Sequence, residues 1–457
     1  MTRFDSYKEA LERAQPVGLT GRVSGVRGLS VQVADFPLPI GALCRIDVAG
    51  GGVEARVIGF ADDRTLVMPM GAMTGIRRGD KVVCTSTEQT IAVGAEMLGR
   101  VVDGMGCPID GRGPLCVERQ APLWPAPIAA LQRERIDEPL PTGIRAVDAT
   151  LTVGRGQRVG VFSGSGVGKS VLLGMVSRYT AADVIVIALI GERGREVWDF
   201  IERELGPEGL KRSVVVVATS DEPPLVRVQA AAVACTVAEH FRDRGGDVLL
   251  LMDSLTRLAT AQRQIGLIAG EPPATKGYTP SVFNLLPELL ERSGRTAAGS
   301  VTGFYTVLVE SDDAADPICD AVRSASDGHI WLSRELGNRG HYPAIDVLQS
   351  VSRVMMDVTD ESHQAAAGQL RRLLAVYGDI EELLNVGAYQ AGANAEYDLA
   401  IAMMPEIRRF LSQRITERAS FSETTDRMAR LVAQITQARQ RHEPDETAAV
   451  DQAAPAA

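Results

Sequence analysis

The feature that most constrains the fold of this chain is the stretch SGSGVGKS at residues 163–170. A largely apolar run at residues 158–162 precedes it, and the apolar residues 171–173 follow it. This order of strand, glycine-rich loop and helix is the context that a phosphate-binding P-loop requires. The glycines allow backbone N–H groups to surround an anion at the N-terminus of the helix. The sequence therefore predicts a nucleotide-binding α/β fold around this loop.

The side chains of the loop are expected to have distinct roles in binding the nucleotide and its metal ion. We expect Lys169 to reach the β- and γ-phosphates of ATP and the Ser170 hydroxyl to complete the ligand shell of Mg²⁺. Ser163 stands where the strict pattern has glycine, but three glycines, the lysine and the following serine stay in register. The predicted nucleotide-binding residues of the loop are Gly164, Ser165, Gly166, Val167, Gly168, Lys169 and Ser170.

Short apolar runs alternate with longer segments of helical character through the middle of the chain. Continuous rather than alternating apolarity is typical of strands that are buried on both faces, as in a parallel sheet covered by helices. The runs lie at residues 158–162, 184–190, 214–218, 248–252, 304–309 and 330–332. We predict a mainly parallel sheet built from these strands.

Charged residues follow two of the runs. Asp253 ends the run at 248–252, and Glu192 and Arg193 come just after the run at 184–190. Ligands of open α/β sheets bind at the carboxyl edge of the sheet, so we expect these residues beside the P-loop. Asp253 is a candidate partner of Mg²⁺ through water. Glu192 is a candidate to polarise the water that attacks the γ-phosphate, and Arg193 a candidate to hold phosphate oxygens.

The composition argues against several classes of protein. The 457 residues include 48 Lys and Arg against 58 Asp and Glu, and this formal net charge of −10 gives no support to nucleic-acid binding. The longest uninterrupted apolar run has seven residues, whereas a membrane-spanning helix needs about 20. The first dozen residues are too charged for a signal peptide, and the six cysteines form no CxxC pair. We expect a cytoplasmic protein with reduced thiols.

The chain divides into five predicted segments. Residues 1–18 carry apolar residues at helical spacing and form a candidate partner-docking segment. Short β-rich runs separated by glycine, proline and aspartate predict a small β-barrel at residues 19–90. The sheet lies within a nucleotide-binding domain at residues 91–360, and a helical domain is expected at residues 361–442, where the strand signal stops. Residues 443–457 have almost nothing to bury and are expected to be disordered.

Several motifs together resemble one known family. They are SGSGVGKS, GERGRE at residues 191–196, the stretch at residues 253–283, and HYPAIDVLQSVSRVM, which begins at His341. With EPLPTGIRAVD at residues 138–148, they closely resemble the flagellar export ATPases and the type III secretion ATPases. More distantly, they resemble the catalytic subunits of rotary ATP synthases. The resemblance covers residues 19 to 440.

This resemblance implies a β-barrel, a RecA-like ATPase domain and a helical C-terminal domain, assembled as a homohexamer. It implies that Glu192 is the catalytic carboxylate, assisted by Lys169, and that Asp253 is the Walker B acid. Arg353 matches the arginine finger that reaches the neighbouring subunit's site, where such a residue typically adds about 10³–10⁵ in rate. Tyr342 corresponds to the family's adenine-contacting tyrosine. Residues 277–283 resemble a loop that faces the central pore of the ring.

The function implied by the resemblance is that of an ATPase of a bacterial flagellar or type III protein-export apparatus, with ATP and Mg²⁺ bound. The alternatives are a virulence rather than a flagellar export ATPase, a catalytic subunit of a rotary ATP synthase, a nucleotide-holding regulatory subunit and a hexameric RNA translocase. Glu192 argues against the regulatory subunit, which would lack this carboxylate. The negative net charge and the 5% aromatic content argue against an RNA-stacking surface.

The partners implied are a stator or regulator protein at the N-terminal segment, a central stalk protein, export substrates with their chaperones, and a membrane export gate. No nucleic acid is expected. The expected location is the cytoplasm, peripheral to the cytoplasmic face of the inner membrane.

Overall fold

The computed structural model describes residues 18–117, 119–309 and 316–442. The predicted docking segment, apart from Gly18, and the predicted disordered tail lie outside the described residues. The predicted β-barrel, mainly parallel sheet and helical C-terminal part are confirmed. The limits given above for the domains stay predictions.

Six strands form a closed barrel near the start of the described chain, in the order β1-β2-β5-β4-β3-β6. Inward positions alternate along β2 and β3, as with Val31 and Val33 or Cys44 and Ile46, which are all fully buried. The strands are β1 (Thr20–Arg27), β2 (Ser30–Ala34), β3 (Leu43–Val48), β4 (Gly51–Ala61), β5 (Arg64–Pro69) and β6 (Lys81–Ser86).

A connecting region links the barrel to the central sheet. In it β7 (Thr90–Val93) pairs antiparallel with β9 (Arg119–Pro122). Short 3₁₀ turns lie at Ala95–Met97 and Ala130–Gln132. Between them, β8 (Val101–Asp103) joins one edge of the central sheet beside β12.

The central sheet has the order β17-β16-β10-β15-β13-β11-β12-β8, with β14 paired to β15. The neighbours from β16 to β8 run parallel, whereas β17 and β14 are antiparallel to their partners. The strands are β10 (Arg158–Ser163), β11 (Val184–Ile190), β12 (Ser213–Ala218), β13 (Asp247–Asp253), β14 (Gly294–Arg295), β15 (Ser300–Leu308), β16 (Gly328–Leu332) and β17 (Ile345–Ser352).

Helices cover the sheet and continue the chain after it. Those of the sheet region are α1 (Arg145–Thr150), α2 (Lys169–Tyr179), α3 (Gly194–Asp199), α4 (Gly206–Lys211), α5 (Pro224–Arg242), α6 (Leu255–Ala269), α7 (Pro280–Leu290), α8 (Pro317–Ala325), α9 (Arg334–Asn338) and α10 (Met355–Val358). A π-helical segment, Phe200–Leu205, connects α3 to α4, and a 3₁₀ turn lies at Thr275–Gly277. The C-terminal helices are α11 (Glu361–Asn385), α12 (Ala395–Leu411) and α13 (Phe421–His442).

Both faces of the sheet are buried, as continuous apolarity predicts. In β11, Val186 and Ala188 pack into a core that contains α5, whereas Ile185 and Ile187 pack into a separate core that contains α2 and the C-terminal helices. Burial on two sides holds the strands rigidly in register. This rigidity fixes the positions of the loops at the carboxyl edge of the sheet.

The C-terminal helices pack against the sheet region through α1. Arg145 donates from Nη2 to Glu417 Oε1 at 2.7 Å, and the Gln413 side chain accepts the Arg145 backbone N–H at 2.8 Å. These contacts fix the segment between α12 and α13 beside the sheet. In the described ranges, no helix is both long and apolar enough to cross a bilayer.

Candidate active site

The carboxyl ends of neighbouring strands bring the predicted chemical groups together. β10 leads into the P-loop, β11 leads to Glu192, and β13 ends at Asp253. β15 lies between β10 and β13, and β11 is the next strand beyond β13. The loop and the two carboxylates therefore face one crevice at the carboxyl edge of the sheet, where open α/β sheets bind their ligands.

The P-loop backbone adopts the conformation that its glycines permit. Gly166 and Gly168 have φ angles of 78° and 100°, in the left-handed region that a side chain disfavours. α2 begins at Lys169, directly after Gly168, which leaves its first N–H groups free of helical partners. Val167 is 4% exposed and packs into the core, while Ser165, Gly166 and Ser170 are exposed. The loop thus presents its backbone to the crevice and stays fixed through Val167.

Lys169 links the two carboxylates. Its Nζ forms an ion pair with Asp253 Oδ1 and lies 3.8 Å from Glu192 Oε1. Thr306 of β15 donates its hydroxyl to the same Asp253 oxygen at 2.8 Å. Asp253 and Glu192 are 3% and 7% exposed, so these charges interact with little solvent screening.

The surroundings of Glu192 favour its protonated form. Burial, a hydrogen bond with Glu196 and the charge of Asp253 raise the pKa of Glu192 to about 7, against the opposing effects of Lys169 and Arg257. The hydrogen bond with Glu192 is the largest of several effects that together lower the pKa of Glu196. A carboxyl group that titrates near neutrality is suited to exchange a proton with a reacting water.

Arg257 was not predicted from the sequence, yet it contacts Glu192 directly. Its Nη1 lies 2.8 Å from Glu192 Oε2 and also donates to the carbonyl oxygen of Gly191. Arg257 belongs to α6, which follows β13, and the sequence signal was its place in the family-like stretch at residues 253–283. By contrast, the predicted Arg193 is 78% exposed and its Nη1 lies 3.3 Å from Glu196 Oε1, outside the buried cluster.

Tyr342 lies beside the P-loop, next to Gly168. A Cβ atom on Gly168 would lie 3.8 Å from Tyr342 Cε1, and the tyrosine is 49% exposed. Its carbonyl oxygen accepts the backbone N–H of Gln413 at 2.9 Å, which brings the segment after α12 to the same place. Ile415 of that segment is 50% exposed and was not predicted from the sequence. The crevice beyond the loop therefore has an aromatic wall at Tyr342.

Arg353 lies at the opposite end of the sheet from Lys169. It directly follows β17, whose Ser352 pairs with Gly328 at the start of β16, whereas Leu332 at the end of β16 pairs with Ser163. Four strand residues separate these ends by about 13 Å. Arg353 is exposed, and its Nη1 donates to the carbonyl oxygen of Ser326 at 3.3 Å. The guanidinium cannot reach the P-loop of its own subunit.

The donor set at the crevice fits Mg²⁺. Ser170 supplies a hydroxyl at the start of α2, and Asp253 supplies a buried carboxylate, and both are hard oxygen donors. Across residues 18–117, 119–309 and 316–442, no cluster of three or more His, Cys, Asp or Glu side chains forms a metal cage. At nucleotide sites, phosphates and waters complete the shell of Mg²⁺ around one or two protein ligands.

The segment expected to form a pore-facing loop, residues 277–283, is only partly a loop. α7 begins at Pro280, and Tyr278 is 8% exposed. The Tyr278 and Phe283 rings pack edge to face with their centroids 6.3 Å apart. Proline at the first helical position favours a helix start, which explains why a helix begins inside this segment.

Three regions of the chain match family descriptions. Residues 143–352 match the nucleotide-binding domain of the ATP synthase alpha/beta family, and residues 23–86 match the β-barrel domain of that family. Residues 359–430 match the T3SS EscN ATPase C-terminal domain. The three matches follow one another in the order of the barrel, the sheet and the C-terminal helices.

Individual relatives match nearly the whole chain. The flagellum-specific ATP synthase of Treponema pallidum is 51% identical over 93% of this chain and 96% of its own length. The type 3 secretion system ATPase of Xanthomonas euvesicatoria is 48% identical over 89% of this chain and 92% of its own. Among solved structures, the assembled ATPase EscN of enteropathogenic E. coli, in complex with its central stalk EscO, superposes with a TM-score of 0.84. It is 41% identical and covers 90% of this chain and all of that one.

Proposed function

This chain belongs to the flagellum-specific and type III secretion ATPases of the ATP synthase alpha/beta family, and we propose that it hydrolyses ATP within a homohexameric ring that drives bacterial protein export. The protein is an ATP-hydrolysing P-loop enzyme. The observation that carries the proposal is the buried cluster of Lys169, Glu192 and Asp253 beside a P-loop whose glycines hold the left-handed conformation.

In the proposed mechanism, Lys169 exchanges partners when ATP binds. The β- and γ-phosphate oxygens carry more negative charge than the single carboxylate of Asp253, so they draw the ammonium group from it. This exchange leaves the Asp253 oxygen, still bonded to Thr306, facing the crevice. When bound, Mg²⁺ would be held through Ser170 and Asp253 and would neutralise charge on the phosphate oxygens.

Glu192 is the proposed acceptor of the proton of the attacking water. The water oxygen forms a bond to the γ-phosphorus, the bond from this phosphorus to the bridging oxygen of ADP breaks, and the proton passes to the Glu192 carboxylate. Arg257 holds that carboxylate in place from α6. The proposed contact of Arg193 with phosphate oxygens requires its side chain to turn away from Glu196.

The P-loop, residues 164–170, and Tyr342 are the proposed nucleotide contacts. The backbone N–H groups of the loop surround the phosphates. The exposed face of Tyr342 offers a surface on which adenine can stack, next to Gly168.

Arg353 is the proposed arginine finger of a neighbouring subunit. Its place at the far end of the sheet supports action on another copy, because it cannot act within its own chain. A heterologous contact of this kind repeats from subunit to subunit and closes into a ring. The assembled state of EscN, which this chain resembles over most of its length, also supports a ring.

The further partners are also proposals. A central stalk is supported by the EscN–EscO complex. A stator or regulator at residues 1–18, export substrates with their chaperones, and a membrane export gate follow from the family. We place the ring in the cytoplasm, at the cytoplasmic face of the inner membrane, and we propose the flagellar rather than the virulence apparatus. The 51% and 48% identities to one member of each class agree with that choice.

The first test is ATP hydrolysis by the purified protein across a concentration series, with mass photometry on the same samples. Turnover per subunit should rise as hexamers form, since each site needs its neighbour's arginine. Constant turnover in samples that contain only monomers would contradict shared sites. Tight ATP binding without turnover by assembled rings would favour the regulatory subunit instead. Deletion of the gene should abolish motility if the flagellar assignment is right.

A further inference from the structure

A second cavity, of about 380 Å³, lies where the barrel meets the nucleotide-binding region. It is lined by residues of β4, of the segment after β9, and of α5, α6 and α7. Its volume falls within the range of small-molecule sites. None of the residues assigned above to nucleotide binding or catalysis lines this cavity.

Arg56 of β4 lines the cavity, and its guanidinium forms no ion pair with a carboxylate of the described residues. It is only 8% exposed, its Nη2 donates to Gln229 Oε1 of α5, and its buried Nε has no hydrogen-bond partner. Burial lowers the pKa of Arg56 to about 10, and a guanidinium with that pKa is still charged at neutral pH. A buried charge without a counter-ion is costly, so an anion that reached it would be bound strongly.

Other polar groups of the cavity point to a ligand with a hydrogen-bond donor as well. The Oε1 atom of Gln89 is buried and has no partner, while its Nε2 donates to the carbonyl oxygen of Gly41 at 2.9 Å. A hydroxyl or N–H group of a ligand would satisfy this acceptor. Two carboxylates also line the cavity: Glu271 accepts the backbone N–H of Ser281 at 3.0 Å, and Glu288 is exposed. The anionic end of a ligand must therefore point to Arg56.

The remaining walls are apolar. Trp124, Leu225, Val228 and Ile265 lie along them. Such walls favour a compact ring or hydrocarbon body over a bare inorganic anion.

We propose that this cavity binds a small organic carboxylate with an aromatic or apolar body and a hydroxyl group, whose carboxylate pairs with Arg56 and whose hydroxyl donates to Gln89. Because the cavity is lined by both the barrel and three helices of the nucleotide-binding region, the ligand joins these two parts of the subunit. The site is separate from the ATP crevice and does not depend on the proposed export function.

The probe is 4-hydroxyphenylacetate, added to the full-length protein and followed by ligand-detected NMR and by tryptophan fluorescence. Its matched control is 4-hydroxyphenylethanol, which keeps the ring and the phenol but lacks the carboxylate. The acid should bind about 10- to 100-fold more tightly than the alcohol, the difference expected for charge-assisted hydrogen bonds. Saturating ADP should not displace it. Equal binding of the two compounds, or no binding of the acid up to about 10 mM, would overturn the proposal.

Two sets of variants locate the binding. Arg56→Gln should reduce the affinity for the acid to that for the alcohol, whereas Arg56→Lys should retain part of the preference. Because a change at Arg56 can also disturb the fold, a second pair uses Asn284, an exposed residue of α7 on the cavity wall. Asn284→Trp should fill the cavity and abolish binding, while Asn284→Ala should leave it unchanged. Undiminished binding to folded Asn284→Trp would place the ligand elsewhere and contradict the assignment.

Discussion

Glu192 lies among charges of both signs, and this balance sets its protonation. Burial, a hydrogen bond with Glu196 and the charge of Asp253 favour the neutral form of the Glu192 side chain. Lys169 and Arg257 favour the carboxylate form. The pKa of about 7 is the net result. In its proposed role as proton acceptor, Glu192 must be deprotonated, and with a pKa of about 7 only part of the free enzyme meets this condition near neutral pH.

The pH dependence of kcat/KM follows from this balance. A base with a raised pKa is inactive below it, so kcat/KM should rise with pH through about 7 and then level off. Glu196→Gln replaces a carboxylate that hydrogen-bonds protonated Glu192 with a weaker, neutral acceptor, so it should move the rise to lower pH. The measurement is ATP hydrolysis at low substrate concentration in both proteins, over a pH range that extends about 1.5 units below and about 2 units above the expected midpoint. An identical midpoint in the variant would mean that Glu196 does not tune Glu192.

Replacing Glu192 itself separates binding from chemistry. Glu192→Gln keeps the P-loop and Asp253 intact, so ATP should bind with nearly unchanged affinity while kcat falls by at least about 10²-fold. Fluorescent-nucleotide titration and single-turnover hydrolysis measure the two quantities. Glu196→Gln is the matched control and should keep its turnover at high pH. Normal turnover by Glu192→Gln would remove this residue from the mechanism.

The sequence placed Lys169, Glu192 and Asp253 in one crevice because each follows a buried parallel strand, and such strands end at a common edge. Arg257 could not be placed in the same way. Its contact with Glu192 depends on how α6 passes the end of β11, which is a matter of tertiary packing and not of local pattern.

At the scale of elements, the turn from β10 into α2 depends on glycine conformation. Gly168→Ala places a Cβ where φ is 100°, which costs about 1–2 kcal/mol in the left-handed region. We expect ATP affinity to fall about tenfold, because a relaxed loop no longer aims its N–H groups at the phosphates. Isothermal titration calorimetry with a non-hydrolysed ATP analogue measures this affinity in the variant and in the wild-type protein.

The matched control is Gly368→Ala in α11. This glycine is exposed, has ordinary helical geometry, and a Cβ there would contact nothing within 4 Å. The change should raise the unfolding free energy by about 0.5–1 kcal/mol through helix propensity and leave ATP affinity unchanged. Weaker ATP binding by the control as well, or unchanged binding by Gly168→Ala, would contradict the prediction that the conformation of the loop determines ATP affinity.

The elements that the sequence predicted best are those buried on both faces. β11 has the limits of its apolar run, whereas β1 and β17 were not predicted as strands. β17 is an edge strand with exposed Leu348 and Val351 and polar neighbours, so its pattern lacks continuous apolarity. The expected loop at residues 277–283 was assigned by resemblance alone and missed the helix that begins at Pro280.

At the scale of the whole molecule, the residues proposed for catalysis lie at opposite ends of one sheet. Lys169 and Glu192 lie at the carboxyl edge, and Arg353 lies at the other. Under the proposed mechanism, a subunit completes its site only beside another copy. The sequence predicted the barrel, the sheet and the helical end, because each has its own period of apolar residues. Assembly into a ring is expected only from the family resemblance, because a local sequence pattern does not specify which surfaces of two subunits contact each other.

Mixing two inactive variants tests the shared site most directly. Lys169→Ala lacks the P-loop lysine and Arg353→Ala lacks the finger, so each alone should form inactive rings. In an equal mixture, about one quarter of the interfaces should join an intact P-loop to an intact finger by random head-to-tail assembly. We expect recovery of up to about that fraction of wild-type hydrolysis. Mixed hexamers seen by native mass spectrometry that still hydrolyse no ATP would contradict it.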